Sequence, residues 1–181
     1  MRQPSPEALK RAAGIRFVLL DVDGVLTDGR IHFGSNGEDG RSFHSRDGLG
    51  VRLGQRAGLN FGIVSGRVSP AVSGRAAELD IEEVHQGVQD KVACVEGILS
   101  RRGLAASDVC FMGDDLVDVP AMRRAGFAAA PSDAAPEAHG AADYVTAAAG
   151  GRGAVRELVD LLLRASGKWK DVTGRFTERG T

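Results

Sequence analysis

The feature that most constrains this chain is a short apolar run, Ile15-Arg16-Phe17-Val18-Leu19-Leu20, that stops at a pair of aspartates, Asp21 and Asp23. A run of that length without polar alternation suits a strand buried on both faces of a parallel sheet. Similar runs recur at Asn60–Val64, Val109–Met112 and Phe127–Ala130, and more weakly at Ile81–His85 and Tyr144–Thr146. Helical spacing lies between them: Val72, Ala76 and Leu79; Val92, Val95, Ile98 and Leu99; Val155, Leu158, Val159 and Leu162. Strands alternating with helices imply right-handed crossovers and an α/β fold, a doubly wound parallel sheet. Chemistry in such a sheet collects at the carboxyl ends of the strands.

One segment interrupts the alternation. Gly29 to Phe43 reads as a hairpin, Arg30–Phe33 and Gly40–His44 around a turn holding Asn36-Gly37, the strongest short hairpin signal. A lone hairpin is marginal in water, so this one is expected to lie on the body of the protein or against another subunit. It is too small to be a separate cap. The whole chain, residues 1–181, is expected to form one domain, including the protruding hairpin 29–44 and a polar tail 166–181. The tail, with Trp169, Val172 and Phe176 as its apolar residues, is expected to be unstructured alone or ordered on docking.

Charge narrows the function classes. The chain carries 23 Lys+Arg against 24 Asp+Glu, a formal net charge of −1, which argues against a broad nucleic-acid surface. No segment approaches the roughly 20 apolar residues of a membrane helix. Met1 to Ala13, polar with Pro4, Pro6 and Glu7, does not read as a secretory signal. The cytoplasm is the expected location. Cys94 and Cys110 sit inside apolar segments and read as buried free thiols of a reducing compartment. His32, His44, His85 and His139 are scattered and show no zinc spacing.

Asp21 and Asp23 follow the first run directly, and their two-residue spacing points both side chains to one side. Gly24 lets the backbone turn after them. Two carboxylates at one strand end repel, and a divalent cation is the simplest offset; a turn or helix cap is the plainer alternative. A second cluster, Gly113-Asp114-Asp115 with Asp118, follows another apolar run. An acidic helix N-terminus accounts for one of those carboxylates and leaves the others unexplained. Together the clusters offer the oxygen-only donors that Mg²⁺ takes. Ser65-Gly66-Arg67 ends the Asn60–Val64 run just before a helix, where a hydroxyl and free N–H groups bind phosphate or simply cap the helix. Lys91 opens the Val92–Leu99 stripe behind a candidate N-cap, Asp90. A cation there opposes the helix dipole, a mismatch that a phosphoryl group offsets if the side chain faces the site.

These segments, in this order, resemble the four motifs of the haloacid dehalogenase superfamily: Asp21-Val22-Asp23-Gly24-Val25, Ser65, Lys91, and Gly113-Asp114-Asp115 with Asp118. Asp23-Gly24-Val25-Leu26-Thr27-Asp28-Gly29, Arg46-Asp47-Gly48, Ser65-Gly66-Arg67, Ala142-Asp143-Tyr144-Val145-Thr146 and Gly150-Gly151-Arg152-Gly153-Ala154-Val155-Arg156-Glu157 are similar to one branch. That branch is the capless 3-deoxy-D-manno-octulosonate 8-phosphate phosphatases, and the resemblance runs from about Ile15 to Gly167.

The resemblance implies a Rossmann-like fold without a cap and a Mg²⁺-dependent phosphomonoesterase of lipopolysaccharide sugar synthesis. It implies Asp21 as the nucleophile and Asp23 as acid and base, with the Asp23 main-chain carbonyl, Asp21 and Asp114 on the metal. Asp115 and Asp118 would orient metal-bound water, and Ser65 and Lys91 would hold phosphoryl oxygens. Gly24, Gly66, Arg46, Arg67 and Arg75 complete the implied substrate-binding set, the arginines facing a sugar carboxylate. Also implied is a homotetramer in which the Gly29–Phe43 hairpins meet and a neighbour covers each site, with Lys168 and Lys170 reaching toward it. Nonulosonate 9-phosphate phosphatases share much of this pattern, so a nine-carbon sugar acid is the alternative substrate. A non-catalytic assembly module is the alternative of another class. A mutase is disfavoured, because no water-excluding cap fits between Asp28 and Ser65.

Overall fold

The apolar runs become strands of one parallel sheet in the computed structural model, which describes residues 4–34 and 39–177. In chain order the strands are β1 (Phe17–Leu20), β2 (His32–Phe33), β3 (Asp39–Gly40), β4 (Asn60–Val64), β5 (Glu83–His85), β6 (Val109–Met112), β7 (Phe127–Ala130) and β8 (Tyr144–Val145). The helices are α1 (Pro6–Ala13), α2 (Ser45–Arg56), α3 (Pro70–Glu78), α4 (Lys91–Arg102), α5 (Val119–Arg124), α6 (Pro136–Ala141), α7 (Ala154–Ala165) and α8 (Trp169–Thr177). Six strands pair in parallel in the order β5-β4-β1-β6-β7-β8, and β2 and β3 form a separate antiparallel ribbon.

The lack of alternation in the strand sequences has a direct cause. In β1, Val18 and Leu20 join a core with α1, α2, α3 and α7, whereas Phe17 and Leu19 join a second core with α4, α5 and α6. Cys110 and Met112 of β6 face the first core, and Val109 and Phe111 the second. Both faces are covered, so each position is apolar. The thiols follow expectation in part: Cys110 is buried and Cys94 half-buried, both free. Among the described residues no helix is long and apolar enough to cross a membrane.

Three segments depart from the sequence reading. The ribbon is shorter than expected: its strands have two residues each, and the Asn36-Gly37 turn lies outside the described residues. Beyond β3 the chain leaves the ladder because Phe43 packs onto the core and His44 caps α2, its Nδ1 accepting from the Arg46 N–H at 3.2 Å. The polar N-terminus forms α1, which buries Ala8 and Ala12 against the core shared with α7. The tail folds onto its own chain as α8: Val172 is buried, the Arg164 guanidinium lies 4.2 Å from the Trp169 ring centroid, and Lys168 Nζ donates to the Ala57 carbonyl at 2.8 Å. Residues 178–181 lie outside the described residues.

β1 is the switch point of the sheet. The chain passes from β1 to β4 on one side, and α4 then carries it across to β6 on the other. The carboxyl ends of three adjacent strands therefore bound one crevice.

Candidate active site

Each of those strand ends carries a motif. A cleft of about 580 Å³ opens there, and Asp21, Asp23, Ser65, Arg67, Lys91 and Asp114 are among the residues lining it. Gly66 and Asp115 also reach it.

Lys91 is the organising charge. Asp90 starts α4 by accepting from the Ala93 N–H at 3.0 Å, and the first helical residue is thereby aimed back into the crevice. Its ammonium is almost fully buried and donates to Asp21 Oδ1 at 2.7 Å and to Asp118 Oδ1 at 2.6 Å. Burial works against that ammonium, but Asp21 and Asp118 outweigh it and raise its pKa. Burial, then repulsion from Asp118, pushes Asp21 up to about 6 despite Lys91. Burial and the surrounding Asp21, Asp118 and Asp115 carry Asp114 to about 8.

The donor set fits a divalent cation. One carboxylate oxygen from each of Asp21, Asp114 and Asp118 lies within 4.8 Å of the others. Three carboxylates against one ammonium leave two negative charges, and hard oxygen donors suit Mg²⁺. Asp118 is already engaged, Oδ1 by Lys91 and Oδ2 by the N–H groups of Asp114 at 3.0 Å and Asp115 at 3.3 Å. Asp21 and Asp114 are therefore the side chains left to hold the ion. Gly24 is what lets Asp114 approach: its φ is +89°, and a Cβ there would stand 2.1 Å from Asp114 Oδ2. The exposed Asp115 carboxylate accepts from the Leu116 N–H at 2.7 Å.

Ser65 is buried at the end of β4, where its Oγ accepts from the Arg67 N–H at 3.3 Å. Ser65 and the Gly66–Arg67 turn line the cleft together with Lys91, and the Ser65 hydroxyl has a hydrogen to donate. The arginines separate. Arg67 lines the cleft, with Nε 3.6 Å from Asp23 Oδ2. Arg46 is exposed at the start of α2, and neither it nor Gly24 is among the residues lining the cleft. Arg75 has a different task from the expected one: it bonds Glu78 at 2.8 Å and the His44 carbonyl at 3.3 Å, and lies over the Phe43 ring, tying α3 to the start of α2.

Arg41 was missed by sequence reasoning. Its Nε donates to Asp23 Oδ1 at 2.6 Å and its Nη2 to Asp23 Oδ2 at 3.3 Å. No spacing rule joins residues 18 apart across a hairpin. The one available signal was a lone cation just before Phe43, where the ribbon meets the body.

The fold and the site define a hydrolase of the haloacid dehalogenase type, and residues 80–158 match the family model described as haloacid dehalogenase-like hydrolase. The chain is 43% identical over 171 residues to the 3-deoxy-D-manno-octulosonate 8-phosphate phosphatase KdsC of Salmonella typhimurium, covering 94% of this chain and 91% of that protein. The Escherichia coli K12 protein of the same name is 42% identical over the same shares. A crystal structure of the Moraxella catarrhalis phosphatase, in complex with magnesium ion, phosphate ion and KDO, superposes with a TM-score of 0.92 at 35% identity, covering 94% of this chain and 98% of that one. The cobalt-bound Haemophilus influenzae phosphatase superposes at 0.88 with 38% identity, covering 93% and 99%. This chain belongs to the 3-deoxy-D-manno-octulosonate 8-phosphate phosphatase family.

Proposed function

We propose that the protein is a Mg²⁺-dependent phosphomonoesterase that hydrolyses 3-deoxy-D-manno-octulosonate 8-phosphate to the free sugar acid and phosphate. The observation that carries this reading is the buried Lys91 bridging Asp21 and Asp118 beside Asp114, in a chain 43% identical to a phosphatase of that name.

Lys91 holds Asp21 Oδ1 at 2.7 Å and so fixes the carboxylate for in-line attack on phosphorus. An Asp21–phosphorus bond forms as the ester bond to the sugar oxygen breaks. Asp23 gives its proton to the departing oxygen, then takes one from the water that displaces Asp21 and releases phosphate. Lys91, the Ser65 hydroxyl and the Gly66 N–H hold the non-bridging oxygens, over which charge spreads in a loose transition state. Asp21, Asp114 and the Asp23 main-chain carbonyl would hold Mg²⁺, whose charge would keep these carboxylates ionised and polarise the phosphoryl group. Asp118 and Asp115 order the loop around it. Arg67, which lines the cleft and is 56% exposed, takes the sugar carboxylate.

A homotetramer completes the site: the hairpins meet, and a neighbour covers each open cleft. Val117, exposed and among the residues lining the cleft, is an apolar side chain that this contact would bury.

The test is phosphate release, with Mg²⁺ and with chelator, from the eight-carbon and nine-carbon sugar-acid phosphates and from hexose phosphates. A Mg²⁺-dependent preference for the eight-carbon acid is expected. Preference for the nine-carbon acid reassigns the substrate and keeps every residue role. No turnover of any of them by folded protein removes the enzymatic reading and favours an assembly module.

A further inference from the structure

The Arg41 fork on Asp23 is used by no step above. The Arg41 side chain is only 1% exposed, although it follows β3, in a ribbon whose Phe33 is 74% exposed. Its guanidinium is therefore turned inward onto the loop after β1, with Nη1 also donating to the Gly40 carbonyl of β3 at 3.4 Å. Nε and Nη2 meet the two oxygens of one carboxylate at 2.6 and 3.3 Å. A two-point fork fixes the plane of a carboxylate as well as its position, which one ammonium cannot do. The other guanidinium near Asp23, that of Arg67, stands farther off at 3.6 Å and is 56% exposed.

Proton transfer to a leaving oxygen needs that orientation. A donor acts within hydrogen-bond reach of the oxygen it protonates, and Asp23, with 22% of its side chain exposed, has room to turn away. We propose that Arg41 is the positioning residue for Asp23, so that the base of the hairpin is part of the acid–base machinery. This rests on the reading of Asp23 as proton donor to the sugar oxygen.

The leaving group separates this role from a structural one. An alkoxide needs a proton to depart, whereas p-nitrophenolate leaves without one. The value of kcat/KM reports the first irreversible step, transfer of the phosphoryl group to Asp21, which comes before Asp23 is needed as a base. Arg41→Met, Arg41→Lys, Asp23→Asn and the Arg41→Met/Asp23→Asn pair are compared in the full chain with saturating Mg²⁺. The substrates are the eight-carbon sugar-acid phosphate and p-nitrophenyl phosphate, and sedimentation and circular dichroism are run alongside.

Arg41→Met is expected to lose about 10²-fold in kcat/KM on the sugar phosphate, the low end of what a positioned general acid contributes, and at most about 3-fold on the aryl phosphate. Arg41→Lys, which keeps the charge without the fork, falls between Arg41→Met and the wild type. In the Asp23→Asn background, Arg41→Met adds less than about 3-fold, because residues that act through one another are not additive. Equal losses on both substrates make Arg41 a structural staple and overturn the proposal. Losses that multiply with those of Asp23→Asn make it an independent substrate contact and also overturn it. If Asp23→Asn itself shows no leaving-group selectivity while the wild type is active, the proton-donor reading fails first, and the two failures stay distinct.

Discussion

Asp114 and Asp21 stand together only because the loop after β1 has no Cβ at Gly24 and because Lys91 offsets one of their charges. Burial first, and the remaining repulsion with it, raises both carboxyls, and together they set the behaviour of the protein without its cation. Asp114→Asn removes one member of the repelling set with almost no change of shape. In chelator, this variant is expected to melt higher than the wild type, by about 2–4 °C for each 1 kcal/mol of relieved repulsion in a chain of this size. Adding Mg²⁺ should stabilise the wild type by mass action and leave the variant nearly unmoved, with phosphatase activity lost. Thermal melts with and without a large excess of Mg²⁺ check both statements. A variant that melts below the wild type in chelator would show that Asp114 holds the fold and not a cation. The residue scale also marks where sequence stopped being informative. Asp21, Asp23, Ser65, Lys91 and Asp114 were legible because each stands at an element end beside a run with a clear period. Arg41 was not, because its partner is set by how the ribbon folds back.

Among the elements, α2 shows the same division. The strands could be read because burial on both faces writes an unbroken apolar run. The sequence of α2, Ser-Arg-Asp-Gly-Leu-Gly-Val-Arg-Leu-Gly-Gln-Arg, carries three glycines and little helical propensity. Packing explains them. A Cβ at Gly50 would stand 2.9 Å from the Arg156 Cα of α7, and one at Gly54 would stand 2.6 Å from the Phe61 ring of β4. The helix exists because tertiary contact overrides propensity, and no local rule reports that. Helices α5 and α6 are only six residues each, too short to show a period. What locks α2 to α7 is Asp47, buried, with Oδ2 accepting from the Gly153 N–H at 3.1 Å and Oδ1 from the Arg156 N–H at 2.8 Å. Those bonds satisfy the start of α7, and the preceding Gly150–Gly151 turn lies against the backbone of Gly24 and Thr27. Asp47→Ala leaves the N–H groups of Gly153 and Arg156 without their acceptor, at a cost of about 1–3 kcal/mol. The expected readout is a lower midpoint in urea with an unchanged slope, together with weaker Mg²⁺ binding as the Asp21–Gly24 loop loses its backing. An unchanged urea midpoint would remove Asp47 from that chain of support.

For the molecule as a whole, the sheet collects four strand and helix ends at one crevice, which stands open among the described residues. Charged side chains make up much of the cleft lining, and the exposed Val117 joins them. An uncapped phosphoryl site needs water kept from the wrong step, and the proposed tetramer supplies the missing wall from outside the chain. Phe33, on the ribbon and 74% exposed, is the side chain whose burial between hairpins would contribute most. A fully buried aromatic at an interface centre contributes about 2 kcal/mol or more, so Phe33→Asp, which adds an unpaired charge, should break the assembly at micromolar concentration. Arg41 and Asp23 belong to one chain, so their fork survives that break. The variant is therefore expected to keep kcat/KM on p-nitrophenyl phosphate within about 3-fold, while KM for the sugar-acid phosphate rises by about 10-fold, the 1.4 kcal/mol equivalent of one lost contact. Loss of activity on both substrates would mean that assembly shapes the phosphoryl site itself. A monomer with unchanged KM for the sugar acid would mean that one chain holds its whole substrate and that the hairpin serves only to carry Arg41.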